Sequence, residues 1–130
     1  MKEGKLPHET SLAFRRNIAS IARSARDDGR LVLLMTMPAS PGANDGEFWR
    51  YGIEENNQHL RELSAELGLV LVDAAQAFQT RPELGEQFTD IVHLLPPGNQ
   101  VKAELVANAL SSWIASLSPE GARPVPRARQ

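Results

Sequence analysis

An α/β fold with a small parallel sheet is what the 130-residue sequence predicts, on three observations. Two short apolar runs, Leu31–Met37 and Leu69–Val72, are too brief to span a membrane and continuous enough for strands buried on both faces, as parallel strands are. Each follows a stretch of helical periodicity, so that strand, helix and strand form a right-handed parallel crossover. A further helical stretch led by Pro96 and Pro97 closes the series. Residues 1–118 read as one α/β domain. Residues 119–130, rich in proline and arginine with almost nothing to bury, read as a disordered tail.

In chain order, Phe14, Ile18, Ile21, Ala22 and Ala25 recur at helical spacing, with Thr10 or Ser11 as cap and Gly29 as terminator. Arg15, Arg16, Arg23 and Arg26 fall on the other sides and read as a solvated helix face. Pro38 stops the first apolar run. Ser40 to Gly46 has loop composition, with Asp45 as a cap for the next helix. Ile53, Asn56, Leu60, Leu63 and Leu67 mark that helix's apolar face, Gly52 suggests a start near Tyr51 or Ile53, and Gly68 ends it. The second apolar run closes on Asp73, a candidate ligand contact in the cleft and equally a cap for the turn after it. Ala74 to Phe78 reads as a helical turn, and Gln79 to Gln87 as an irregular loop. Val101, Leu105, Ala109, Trp113 and Leu117 stripe the last helix, which Pro119 ends.

Composition excludes several classes. A net charge of -2 offers no basic field for nucleic acid, and the sequence holds no run long enough for a membrane span. Cysteine is absent, which removes disulfides, thiolate metal sites and cysteine nucleophiles together. His8 and His59 sit in no His-Glu-x-x-His spacing, so no metal or other cofactor is expected. The polar first residues lack a secretory signal, and the expected location is cytoplasmic.

The chemistry concentrates in Phe88-Thr89-Asp90-Ile91-Val92-His93-Leu94-Leu95-Pro96-Pro97-Gly98. Asp90 and His93 stand three residues apart, just before a helix. A carboxylate so placed can accept the imidazole Nδ1 proton and leave Nε2 free to take a proton from a serine.

The order of helix, strand ending Thr36-Met37-Pro38, helix with paired Asn56-Asn57, strand ending Val72-Asp73, then Asp90-Ile91-Val92-His93-Leu94 and Pro97-Gly98-Asn99, resembles the carboxyl half of SGNH (GDSL-type) hydrolases. The likeness runs from about Phe14 to Trp113. It implies a partial three-layer α/β/α, flavodoxin-like fold and hydrolysis of small-molecule esters through a Ser-His-Asp relay without metal. Asp90 and His93 match the family's Asp-x-x-His pair and are by resemblance the orienting acid and the general base.

The family's Gly-Asp-Ser nucleophile strand has no counterpart here. By resemblance it would lie upstream of Met1, so the chain is expected to be inactive alone. Gly42-Ala43-Asn44-Asp45 spells the family's Gly-x-Asn-Asp pattern and makes Asn44 a candidate oxyanion or substrate contact. In the family, however, that motif precedes the helix matching Phe14 to Ala25, and these are ordinary turn residues. Ser11, Ser20, Ser24, Ser64, Ser111, Ser112, Ser116 and Ser118 lie in or at the ends of helices. Ser40, after the first strand, is the one placed to approach His93. A two-stranded sheet leaves an apolar edge, which implies a partner: the missing amino-terminal half or a second copy in a homo-oligomer. The alternatives are a non-catalytic relative binding a small ligand or protein, and an unrelated α/β interaction domain.

Overall fold

The computed structural model of the protein describes residues 8–41 and 47–117. Five helices and a two-stranded parallel sheet make these residues a mixed α/β structure: α1 (His8–Asp27), β1 (Leu33–Met35), α2 (Glu47–Leu67), β2 (Val70–Val72), α3 (Ala74–Gln79), a 3-10 helix (Pro82–Gln87) and α4 (Pro96–Ser116). Asn44 and Asp45, like residues 118–130, lie outside the described residues. Among the described residues no helix is long and apolar enough to cross a membrane.

Helix α1 starts at His8, so Ser11 is not its cap; it is an interior residue, 1% exposed, whose hydroxyl meets His59 Nε2 of α2 at 2.5 Å. Ala19 and Ala22 are buried and Phe14, Ile18 and Ala25 half-buried, but Ile21 is 66% exposed. One residue is a 100° turn, so with Ala22 at the centre of the packed face Ile21 points to solvent. Both long helices before a strand end in the same way. Gly29 (φ +74°) and Gly68 (φ +63°) take the left-handed conformation that side chains avoid. The next amides, of Arg30 and Leu69, return to the carbonyls of Ala25 and Ser64.

Helix α2 begins at Glu47, earlier than Gly52 suggested, and passes through Gly52, which is buried. Leu60 and Leu63 form its buried face. It lies parallel to α1, since Ser11 meets His59, Arg15 meets Glu66 and the Arg26 guanidinium donates to the Leu67 carbonyl.

The strands pair as Leu33 with Val70, Leu34 with Leu71 and Met35 with Val72, and a rung from Thr36 N to Val72 O (3.0 Å) extends the ladder. Burial on both faces does not hold for β1. Its three residues are half-buried, Val72 alone is buried in β2, and Leu31 and Met37 are about half exposed. Gly68 and Asp73 bound β2 to three residues, and among the described residues nothing pairs with the outer edge of β1. Beside that edge lies a groove of about 340 Å³, walled by Phe14 and Ile18 of α1, Leu33 and Met35 of β1, and Ile53 and Leu60 of α2.

The segment expected as an irregular loop is instead the 3-10 helix, opened by Pro82 and anchored by the buried Leu84. Pro96 and Pro97 lead α4, where a missing amide proton costs nothing. Val101, Leu105, Ala109 and Trp113 are half-buried against β2 and the 3-10 helix, while Leu117, past the helix end, is exposed. Gly98 is packed so closely that a Cβ there would stand 3.0 Å from both Gln87 Cβ and Leu94 Cδ2.

Asn57, 2% exposed, holds the chain just after β1: its Nδ2 donates to Met37 O and its Oδ1 accepts from Met37 N, both at 2.8 Å. The side-chain amide thus acts as a one-residue strand partner. Replacing it by Leu leaves both Met37 groups unpaired and should cost about 2–4 kcal/mol, read as a lower urea midpoint at unchanged m-value.

Candidate functional site

The candidate site is a tight loop after the 3-10 helix. Phe88 and Leu94 form an isolated antiparallel bridge, Leu95 N donates to Gln87 O at 2.7 Å, and Thr89 donates to the His93 carbonyl through both N (2.8 Å) and Oγ1 (3.2 Å). This closes Thr89 to His93 into a loop whose inner polar groups are met by Asp90. Its Oδ1 accepts from Val92 N (2.9 Å) and His93 N (2.8 Å), the local bonding that short Asp side chains favour. That leaves Oδ2 for the imidazole, 2.7 Å from His93 Nδ1.

Asp90's carboxyl is held down at about 2, first by the His93 and Val92 amides and then by the His93 side chain. An ionised carboxylate only accepts, which places the imidazole proton on Nδ1 and leaves Nε2 with a lone pair. Nε2 has no hydrogen-bond partner among the described residues, and the His93 and Asp90 side chains are 75% and 54% exposed. The arrangement can take a proton from a hydroxyl brought to Nε2.

Two clefts adjoin this loop. One of about 230 Å³ is lined by Ile53, Asp90, Ile91 and Val92. The other, about 420 Å³, lies at the carboxyl ends of the strands, where open α/β sheets bind ligands, and its walls include Met37, Pro41, Ile53, Phe78 and Phe88. Ser40 also lines it, and Ser40 N donates to Ile91 O at 2.7 Å, tying the loop after β1 to the Asp90–His93 turn. The edge-on pair Phe78–Phe88 (centroids 5.7 Å apart) and the close approach of Gly85 to Pro41 fix the opposite wall. The remaining described serines lie within helices, and Ser64 and Ser116 donate to the carbonyls of Leu69 and Trp113.

Asp73 takes the capping role rather than facing the cleft with a free carboxylate. Its Oδ1 accepts from Thr36 Oγ1 (2.8 Å), Arg61 Nη2 (3.1 Å) and Gln76 N (3.2 Å), and its Oδ2 from Arg61 Nε (2.8 Å). Arg61 above all, then Thr36 and Gln76, hold the Asp73 carboxyl below the ordinary carboxylate range against the opposing effect of burial. Arg61 in turn is raised further above its already high range by Asp73 and, beyond it, Glu54. The sequence reading missed Arg61 and Thr36. The pairing of Thr36 with Asp73 was nonetheless available, because the two residues directly follow the two strands.

Among the described residues no three His, Cys, Asp or Glu side chains gather as a metal site. Comparison with family models, with curated proteins and with solved structures finds no match for the chain.

Because two backbone amides act on Asp90 before the imidazole does, a carboxyl-carbon NMR titration should place its midpoint near 2. In His93→Ala it should rise yet stay below the ordinary value of about 3.9. The sign follows from the depressed value: the stability Asp90 contributes is present above about pH 3.9 and is lost as pH falls towards 2.

Proposed function

We propose that this chain is the carboxyl-terminal portion of an SGNH-type (GDSL) ester hydrolase, with Asp90 the orienting acid and His93 the general base of a Ser-His-Asp relay. The observation that supports it most is the 2.7 Å contact of Asp90 Oδ2 with His93 Nδ1, with Nε2 unpartnered and exposed among the described residues. In this reading the nucleophilic serine belongs to a segment whose strands extend the sheet from the free edge of β1 and complete a flavodoxin-like three-layer fold. The groove beside β1, overhung by Phe14 and Ile18, is consistent with a strand there. A serine brought to Nε2 would lose its proton to His93, whose positive charge Asp90 would stabilise, and attack the ester carbonyl. His93 would then return the proton to the leaving alcohol.

The 420 Å³ cleft, which needs no nucleophile, favours a second reading in which the domain only binds a small molecule. Hydrolysis of 4-nitrophenyl butyrate separates the two. The chain alone should match buffer. Co-expressed with a Gly-Asp-Ser-bearing segment encoded upstream, it should gain hydrolysis that His93→Ala lowers by roughly four orders of magnitude or more. Upstream sequence without such a segment, or hydrolysis indifferent to His93→Ala, would overturn the hydrolase reading.

A further inference from the structure

The seam between α1 and α2 carries more positive charge than the contact of the two helices uses. Of the four arginines on the outer sides of α1, Arg15 pairs with Glu66 Oε1 at 2.5 Å and Arg26 donates to the Leu67 carbonyl at the end of α2. Among the described residues no hydrogen bond or ion pair engages Arg16 or Arg23. Both line one hollow of about 200 Å³ on the seam, together with Arg15 and Ala19 of α1 and Leu63 and Glu66 of α2. Spacing explains the gathering. Ala19 stands three residues after Arg16 and four before Arg23, so a small buried residue lies between two long exposed side chains on one helix face. No acid stands three or four residues from Arg16, and the one four after Arg23, Asp27, lines a different hollow with Asp28 and Arg30. Glu66 is thus the single carboxylate among the lining residues, against three guanidiniums, and Arg15 holds it.

From this we infer that the hollow binds a phosphate group, with Arg16 and Arg23 closing on it from either side of Ala19. A phosphate group carries up to two negative charges, which matches the surplus of two, and its oxygens accept from planar guanidinium forks. Residues seven apart rise about 10 Å along a helix, a span that two arginine side chains can close over the alanine between them. Leu12, one turn before Arg16, also lines the hollow and is 45% exposed, so it offers apolar surface to an organic ester of that phosphate. The site uses neither Asp90 nor His93 and is independent of the hydrolase reading.

Binding is read on the full chain at about pH 7 and constant ionic strength, from the Nε–Hε NMR signals of the arginines. Sodium phosphate and phenyl phosphate are added in separate titrations, with sodium chloride as the control for screening. Saturable shifts should appear at Arg16 and Arg23 and not at Arg30 or Arg81. Tighter binding of phenyl phosphate, with a shift of the Leu12 methyls, assigns the group to an organic ester; equal affinities assign it to free phosphate. Arg16→Gln and Arg23→Gln, changes at exposed side chains, should each weaken binding about tenfold. Glu66→Gln should tighten it, because it removes the lining carboxylate and releases Arg15. No saturable shift with either phosphate, shifts that chloride reproduces, or shifts spread evenly over all the arginines would overturn the inference. So would unchanged affinity in Arg16→Gln and Arg23→Gln, or a Glu66→Gln protein that binds no more tightly.

Discussion

The carboxylate of Asp73 is the point through which the elements of this structure are held in register. Its acceptor sites are filled from three directions: Thr36 at the end of β1, Arg61 on α2 and the Gln76 amide in the first turn of α3. Thr36 passes the constraint on, because its Oγ1 also accepts from Ala75 N at 2.9 Å. Residues 37 and 12 positions away in sequence are thereby fixed to one half-buried anion. An ion pair of this kind matters less for its net energy, which desolvation offsets, than for the arrangement it selects, since removing any one partner leaves a polar group unpaired. Here it sets where β1 stops, where α3 starts and which way the loop after β1 leaves the sheet.

That loop and the Asp90–His93 turn form the end of the molecule that holds the candidate site. Asn57 grips Met37, Ser40 N reaches Ile91, and Gly98 admits the first turn of α4 against Gln87 and Leu94. The Asp90–His93 turn is thus braced by the loop on one side and by α4 on the other, although the side chains of Asp90 and His93 stand in solvent. The opposite situation holds at β1, whose outer edge has no strand partner among the described residues and whose neighbours Phe14 and Ile18 overhang a groove. A braced Asp90–His93 turn, together with an open sheet edge, is the physical basis of the proposal that the remaining catalytic group comes from a segment that completes the sheet.

Much of the element order was legible in the sequence because it rests on local signals: the apolar runs, the helix-ending glycines at 29 and 68, and the proline pair at 96 and 97. What local signals could not carry was burial. The run from Leu31 to Met37 was read as a doubly buried strand, but only three residues find partners on β2, so its ends emerge into solvent. The 3-10 helix escaped because its composition is that of a loop, and its order comes from Leu84 packing and the approach of Gly85 to Pro41. The helix starts at His8 and Glu47 differ from the sequence reading because Ser11 has the composition of a cap and Gly52 that of a helix start, whereas each is a small buried residue inside its helix. At the site, the Asp90–His93 spacing was readable because it is a three-residue, self-contained geometry. Of the Arg61–Asp73–Thr36 network only the Thr36–Asp73 pairing had a sequence signal, both residues directly following a strand; the approach of Arg61 did not, since it depends on how α2 packs on the formed sheet.

The relay reading rests on one proton: the one that Asp90 must hold on His93 Nδ1 if Nε2 is to act as a base. Nitrogen-15 NMR of the His93 ring, recorded at about pH 9 where an ordinary imidazole is neutral, locates it directly. The geometry predicts a protonated Nδ1 coupled to the Asp90 carboxylate and a bare Nε2, with that preference lost in Asp90→Ala. A ring protonated at Nε2 in the unaltered protein would contradict it.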